Sequence, residues 1–138
     1  MSQPSPCACT NLRRAARAIT QFYDRSLEPA GLKVTQFSLL RSVLRAGPTS
    51  ISALAEEVRL DRTTLGRNLA VLEREGLVSL SPGKDQRERT VTLTRSGKRA
   101  LDSAIPLWEQ AQHKVMKALG RGGVDDLTSL LVKVEAFA

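Results

Sequence analysis

From Leu12 the apolar residues recur as Leu12, Ala15, Ala16, Ile19, Phe22, Tyr23 and Leu27, mostly three or four apart, which is the period of one helix face. Pro29 and Gly31 end this first helix. Ahead of it, residues 1–10 carry Pro4, Pro6 and small polar neighbours and read as a flexible arm. Thr35 is the expected N-cap of a second helix bearing Phe37, Leu39, Leu40, Val43 and Leu44, closed by Gly47-Pro48. Thr49–Val58 predicts a short third helix with Ile51, Leu54, Ala55 and Val58 on one face and Ser50 or Ser52 as cap. Asp61 is the expected N-cap of a fourth, Asp61–Glu75, whose apolar stripe is Leu65, Leu69 and Leu72 and which Gly76 stops.

The rhythm then changes. Leu77–Ser81 and Thr90–Thr94 are short, β-branched and alternating, and predict two strands joined by the polar stretch Pro82–Arg89. A long helix follows, capped by Thr94 or Ser96. Its positions Leu101, Ile105, Trp108, Gln112, Val115 and Leu119 keep near-heptad spacing with one polar interruption at Gln112. Pro106 costs this helix a backbone hydrogen bond and is expected to bend it. Gly120, Gly122 and Gly123 terminate it, and a last helix carries Val124, Leu127, Leu130, Leu131, Val134 and Phe137. The chain is therefore mainly α with a small β-hairpin.

The order of three helices, then two strands around a basic tip, is that of a winged helix-turn-helix. In this reading Ser50–Val58 braces Asp61–Glu75, whose N-terminal side chains enter the major groove of a duplex. With the leucines turned inward, Arg62, Thr63, Thr64, Arg67 and Asn68 are left for DNA. Arginine pairs with guanine, asparagine with adenine, and a threonine methyl meets a thymine methyl. Gly66 leaves room for close approach. In the hairpin tip, Lys84, Arg87 and Arg89 can reach phosphates or the minor groove, while Asp85 can orient a guanidinium.

Charge supports this. The 138 residues hold 21 basic and 14 acidic side chains, a net charge of +7. Residues 59–99 contain 10 of the basic and 5 of the acidic ones, so +5 of the +7 lies in less than a third of the chain. Such a field attracts polyanions, of which nucleic acid, an anionic membrane and an acidic protein are the classes to weigh. A membrane-surface protein would gather its cations on one amphipathic helix, whereas here they gather on the helix-turn-helix and hairpin. The 4% aromatic content argues against single-strand binding by base stacking. No apolar run approaches the ~18 residues of a membrane span. No Walker loop, nucleophile elbow or H-E-x-x-H motif occurs, and no enzymatic activity or cofactor is expected. The opening residues MSQPSPCACTNLRR show no secretory signal, so a cytoplasmic location is expected for the paired thiols Cys7 and Cys9.

The stretch Asp85-Gln-Arg87, with Leu93-Thr94 and Gly97, resembles the wing signature D-x-R-x(5)-L-T-x-x-G of the MarR family of bacterial transcription regulators. Thr35-Gln36-Phe37-Ser-Leu39-Leu40, Leu54-Ala55 and Leu72-Glu-Arg74-Glu-Gly76-Leu77-Val78 match as well, so the resemblance covers about residues 12–137. It implies one domain: a winged lobe over 35–94, and dimerisation helices over 12–28 and 95–137 that interlock in a homodimer on a palindromic operator. The three apolar faces at 12–27, 101–119 and 124–137, more than one small lobe can cover, agree. The resemblance also implies release of DNA by a small aromatic or lipophilic effector near the dimer–lobe junction, or by cysteine oxidation. Cys9-x(7)-Arg17-x-x-Thr20-x-x-Tyr23 is similar to the start of the organic-hydroperoxide-sensing branch, which makes Cys9 the reactive thiol, Tyr23 its hydrogen-bonding tyrosine, and peroxide the signal. Arg13 and Val34 depart from that branch, which places further tyrosines there.

Read from the residues alone, Cys9 stands at a helix N-terminus with Arg13 one turn on, a field that favours thiolate. Oxidised, it can condense with Cys7 or with a partner's thiol. The alternative is a constitutive DNA-binding or protein-interaction module whose cysteines sense nothing. Glu109 and His113, one helical turn apart, supply only two ligands, and no metal is expected. Trp108 and Phe22 are candidates for an effector pocket but suit core packing better.

Overall fold

The computed structural model describes residues 3–83 and 88–138. Six helices and three short strands follow in the order α1 (Ala8–Leu27), α2 (Val34–Ala46), β1 (Thr49–Ser50), α3 (Ile51–Val58), α4 (Arg62–Arg74), β2 (Val78–Ser81), β3 (Thr90–Leu93), α5 (Arg95–Leu119) and α6 (Gly123–Glu135). A 3₁₀ turn at Glu28–Ala30 separates α1 from α2. The strands form an antiparallel sheet in the order β1-β3-β2, with Thr49 opposite Val91 and Val78 opposite Leu93.

Three local differences from the sequence reading have identifiable causes. Helix α1 begins at Ala8, inside the stretch read as a flexible arm. Asn11 holds the approach: its Nδ2 donates to the Ser5 carbonyl at 2.7 Å and its Oδ1 accepts from the Ser5 amide at 2.8 Å. The N-cap of α2 is Lys33, not Thr35. Helix α1 supplies the capping oxygen, because Asp24 Oδ1 accepts from the Val34 amide at 2.8 Å, while Gln36 Oε1 accepts from the Lys33 amide at 3.0 Å. The third helix starts at Ile51 because Thr49 and Ser50 are drawn into the sheet as a third strand.

Other caps fall where the sequence placed them. Ser50 Oγ accepts from the Ala53 amide at 3.1 Å. Asp61 Oδ2 accepts from the Thr64 amide at 3.0 Å. Thr94 Oγ1 accepts from the Gly97 amide at 3.0 Å and donates to the Gly76 carbonyl at 2.6 Å, tying the start of α5 to the end of α4. Helix α5 runs unbroken through Pro106. Gln112, the polar interruption of its apolar face, accepts a hydrogen bond from the Tyr23 hydroxyl of α1.

One core serves the lobe and its attachment to α1 and α5. Leu27, Phe37, Leu40, Val43, Leu54, Leu65, Leu69, Leu72, Val91 and Leu101 are its largest buried side chains. Trp108 joins the rim of this core, its ring stacked on Phe37 at 5.8 Å and 26°. Helix α6 adds no buried residue.

Two predictions concern this framework. A Cβ at Gly97 would stand 2.1 Å from the Leu77 carbonyl oxygen and 2.8 Å from Leu93 Cδ1. Gly97→Ala should therefore destabilise the chain by about 1–3 kcal/mol, measured by urea unfolding. The Thr64 hydroxyl, and next its amide, hold the Asp61 carboxyl below its ordinary pKa of about 3.9. A depressed folded-state pKa contributes stability that is present above the unfolded value and lost as pH falls through the folded one. The stability advantage of the unaltered chain over Asp61→Asn should thus shrink on going from about pH 7 to about pH 3.

Candidate nucleic-acid interface

Helix α4 is oriented by what it buries. Leu65, Leu69 and Leu72 are all at most 1% exposed. At 3.6 residues per turn, this sends Thr63, Arg67 and Arg74 to the opposite face. Arg62, Thr63, Thr64, Arg67 and Asn68 are all exposed, so the five residues expected to face DNA share one solvent-facing arc of a single rigid helix. A Cβ at Gly66 would meet nothing within 4 Å, which leaves that flank open.

The cap adjusts the chemistry of this arc. The Thr64 hydroxyl donates to Asp61 Oδ1 at 2.6 Å, so it can present only a lone pair or its methyl group to a ligand. Arg67 and Asn68 make no hydrogen bond or ion pair among the described residues, so their donors remain available. Glu73, which the sequence reading passed over, accepts from the Leu80 amide at 3.1 Å and ties the far end of α4 to β2. Its signal in the sequence is weak, since a glutamate in a charged run near a helix end is ordinary.

In the hairpin, Arg89 is exposed immediately before β3. Lys84, Asp85 and Arg87 lie outside the described residues. A Cβ at Gly83 would collide with the Glu88 carbonyl, so the two arms of the hairpin meet closely at its neck.

The cysteines sit at the other end of the chain. Cys7 is the N-cap of α1 and Cys9 its second helical residue; both are exposed and neither is in a disulfide. The Thr10 hydroxyl, and then the amides of Thr10 and Cys9, draw the Cys7 thiol below its ordinary pKa. These hydrogen bonds at the start of α1 act on Cys7, beside the Cys9 that the sequence singled out. Cys9 and Tyr23 are fourteen residues apart on one helix, about 21 Å, and do not meet within a chain. Burial raises the Tyr23 pKa, and its hydroxyl is given to Gln112.

Glu109 and His113 are exposed on α5, and no group of three metal-ligating side chains occurs among the described residues. Trp108 packs α5 against α2, with the Arg41 guanidinium 4.9 Å from its ring centre. Phe22 meets Tyr23 edge-on at 5.6 Å. No helix among the described residues is long and apolar enough to cross a membrane.

Comparison with known proteins agrees with this geometry. A MarR family model matches residues 30–88, from the turn before α2 to the hairpin. The transcriptional regulator MosR of M. tuberculosis, solved in complex with DNA, superposes with a TM-score of 0.83 at 42% identity, over 94% of this chain and 97% of that one. The HTH-type transcriptional repressor NicR of Pseudomonas putida is 31% identical over 112 residues, 80% of this chain and 71% of NicR. The uncharacterized HTH-type regulator YwoH of Bacillus subtilis is 30% identical over 88 residues, and the match spans 64% of each protein. With a leucine-anchored helix presenting arginine, threonine and asparagine beside a basic hairpin, the chain belongs to the MarR family of DNA-binding transcriptional regulators.

Proposed function

We propose that the chain is a homodimeric repressor that reads a palindromic double-stranded operator and releases it when Cys7 or Cys9 is oxidised by a peroxide, or when a small aromatic or lipophilic effector binds. The observation that carries the reading is the exposed arc Arg62–Asn68 on a helix whose opposite face is buried. In this reading Arg67 and Asn68 contact base edges, Arg62, Thr63 and Thr64 complete the groove contact, and Lys84, Arg87 and Arg89 meet phosphate or the minor groove, with Asp85 orienting a guanidinium. NicR, a relative, is a repressor by name, and MosR was solved on DNA; both favour the same role here.

The dimer rests on uncovered apolar surface. Leu130 is 59% exposed, Val132 58% and Phe137 93%, and Met116 and Leu119 at the end of α5 are exposed as well. Large apolar side chains grouped on two helices favour a partner surface, and a second copy supplies it by symmetry. Two copies also present two reading helices to half-sites about one helical turn apart, roughly 34 Å.

Oxidation is proposed to begin with a thiolate at the start of α1. Its sulfur attacks the peroxide oxygen, an S–O bond forms as the O–O bond breaks, and the leaving alkoxide takes up a proton to become an alcohol. The sulfenic acid then condenses with a second thiol and releases water. Either product loads α1, which packs against α5, and a shift of that pair would change the spacing of the two lobes.

The reading is tested by selecting bound duplexes from a random pool with reduced and with peroxide-treated protein. A palindromic site should emerge only with reduced protein, oxidised Cys7→Ser and Cys9→Ser should separate the roles of the two thiols, and Arg67→Ala should relax the preference at one base pair. Equal binding after stoichiometric oxidation would leave a small effector as the signal. Leu131→Asp should shift the protein toward monomer in sedimentation at micromolar concentration and weaken operator binding with it.

A further inference from the structure

A helix seated in the major groove of B-DNA nearly fills it, since the groove is about 12 Å wide and a helix with its side chains about 10–12 Å across. A phosphate strand therefore runs along each flank. On α4, Arg62, Gly66 and Glu73 lie on the flank toward the hairpin, where Glu73 meets Leu80 of β2. Thr64, Asn68 and Val71 lie on the other flank. What stands beside this second flank is the start of α2.

There Lys33, Thr35, Gln36 and Leu39 form, with Asn68, Val71 and Leu72, a groove of about 150 Å³. Its floor is apolar, with Leu39 and Leu72 buried. Its rim carries donors beside the exposed Val71. The Lys33 ammonium, the Thr35 hydroxyl and the Asn68 amide are exposed and make no hydrogen bond or ion pair among the described residues. The Gln36 carbonyl oxygen is taken by the Lys33 amide, which leaves the Gln36 NH₂ as its remaining hydrogen-bonding group, a donor. Among the described residues no acidic one lines the groove.

We propose that this groove is a second phosphate rail: Lys33, supported by Thr35 and Gln36, holds a backbone phosphate of the DNA strand opposite the one met by the hairpin. The inference rests on the DNA-reading role proposed above and adds a contact that neither the helix-turn-helix nor the wing contains. A duplex phosphate fits better than a free anion, because Asn68 belongs to both the groove and the reading arc. A ligand in the groove is thereby held alongside whatever α4 reads.

The test is fluorescence anisotropy on two labelled duplexes of about 30 bp, long enough for two half-sites, one with the selected site and one of mixed sequence. Lys33→Ala should weaken binding to both by the same factor and flatten the slope of log affinity against log salt by about 0.9 per subunit. Lys33→Arg should restore the slope, and Lys117→Ala, on α5, should leave it unchanged. A neutral methylphosphonate placed singly along the site should, at one position per half-site, weaken the unaltered chain but not Lys33→Ala. A full slope in Lys33→Ala would overturn the rail, as would a change in base preference. Absence of salt-dependent duplex binding by the unaltered chain would instead overturn the DNA-reading role itself.

Discussion

Burial of Leu65, Leu69 and Leu72 is the constraint on which the interface depends. Fully burying a leucine stabilises a fold by roughly 1.5–3 kcal/mol, so the three together outweigh any single contact on the outer face of α4. Rolling the helix by one residue, about 100°, would take all three out of the core. The helix therefore cannot adapt its orientation to a ligand, and the ligand must accept the arc that the leucines leave outside. Two polar contacts finish the placement: Asp61 fixes the first turn and Glu73 ties the last to β2.

Three acidic residues of the lobe follow the same logic. Asp61 is spent on a cap, Glu73 on a strand amide, and Glu57 on Arg45 at 2.8 Å. Arg59, the only described non-glycine residue with a left-handed backbone, pairs with Glu135 of α6. Exposed pairs of this kind add little stability. Their effect is on the field: these carboxylates are engaged, while among the described residues Lys33, Arg67 and Arg89 have no acidic partner.

How much of this was legible in the sequence depends on the range of the interaction involved. Helices with a continuous apolar stripe, such as α2 and α4, declare themselves through their own spacing, and the reading arc is the complement of the α4 stripe. Strand β1 does not, because two residues cannot show alternation and Thr49 and Ser50 are extended only through their pairing with β3. The start of α1 was hidden because periodicity begins at Leu12, whereas the helix begins where Asn11 can fasten it to Ser5. Asp24 capping α2, and Gln112 receiving the Tyr23 hydroxyl, join different helices, so neither partner is marked by its neighbours in sequence. The groove beside Asn68 was invisible for the same reason, since its walls come from residues 33–39 and 68–72.

The central position of β3 bears on the order in which the lobe can be assembled. Thr49 pairs with Val91, 42 positions later (91 − 49), so β1 has no partner until the hairpin has been made. A growing chain that has passed Arg74 already contains the whole of α4, yet lacks Val91, one of the fully buried side chains of the core around it. Local helix pairing between α3 and α4 can come early, but closure of the sheet waits for this distant contact. On a ribosome, then, helix α4 is complete well before it is held rigidly, and the protein's own synthesis separates the appearance of the proposed recognition residues from the moment at which they are fixed in place.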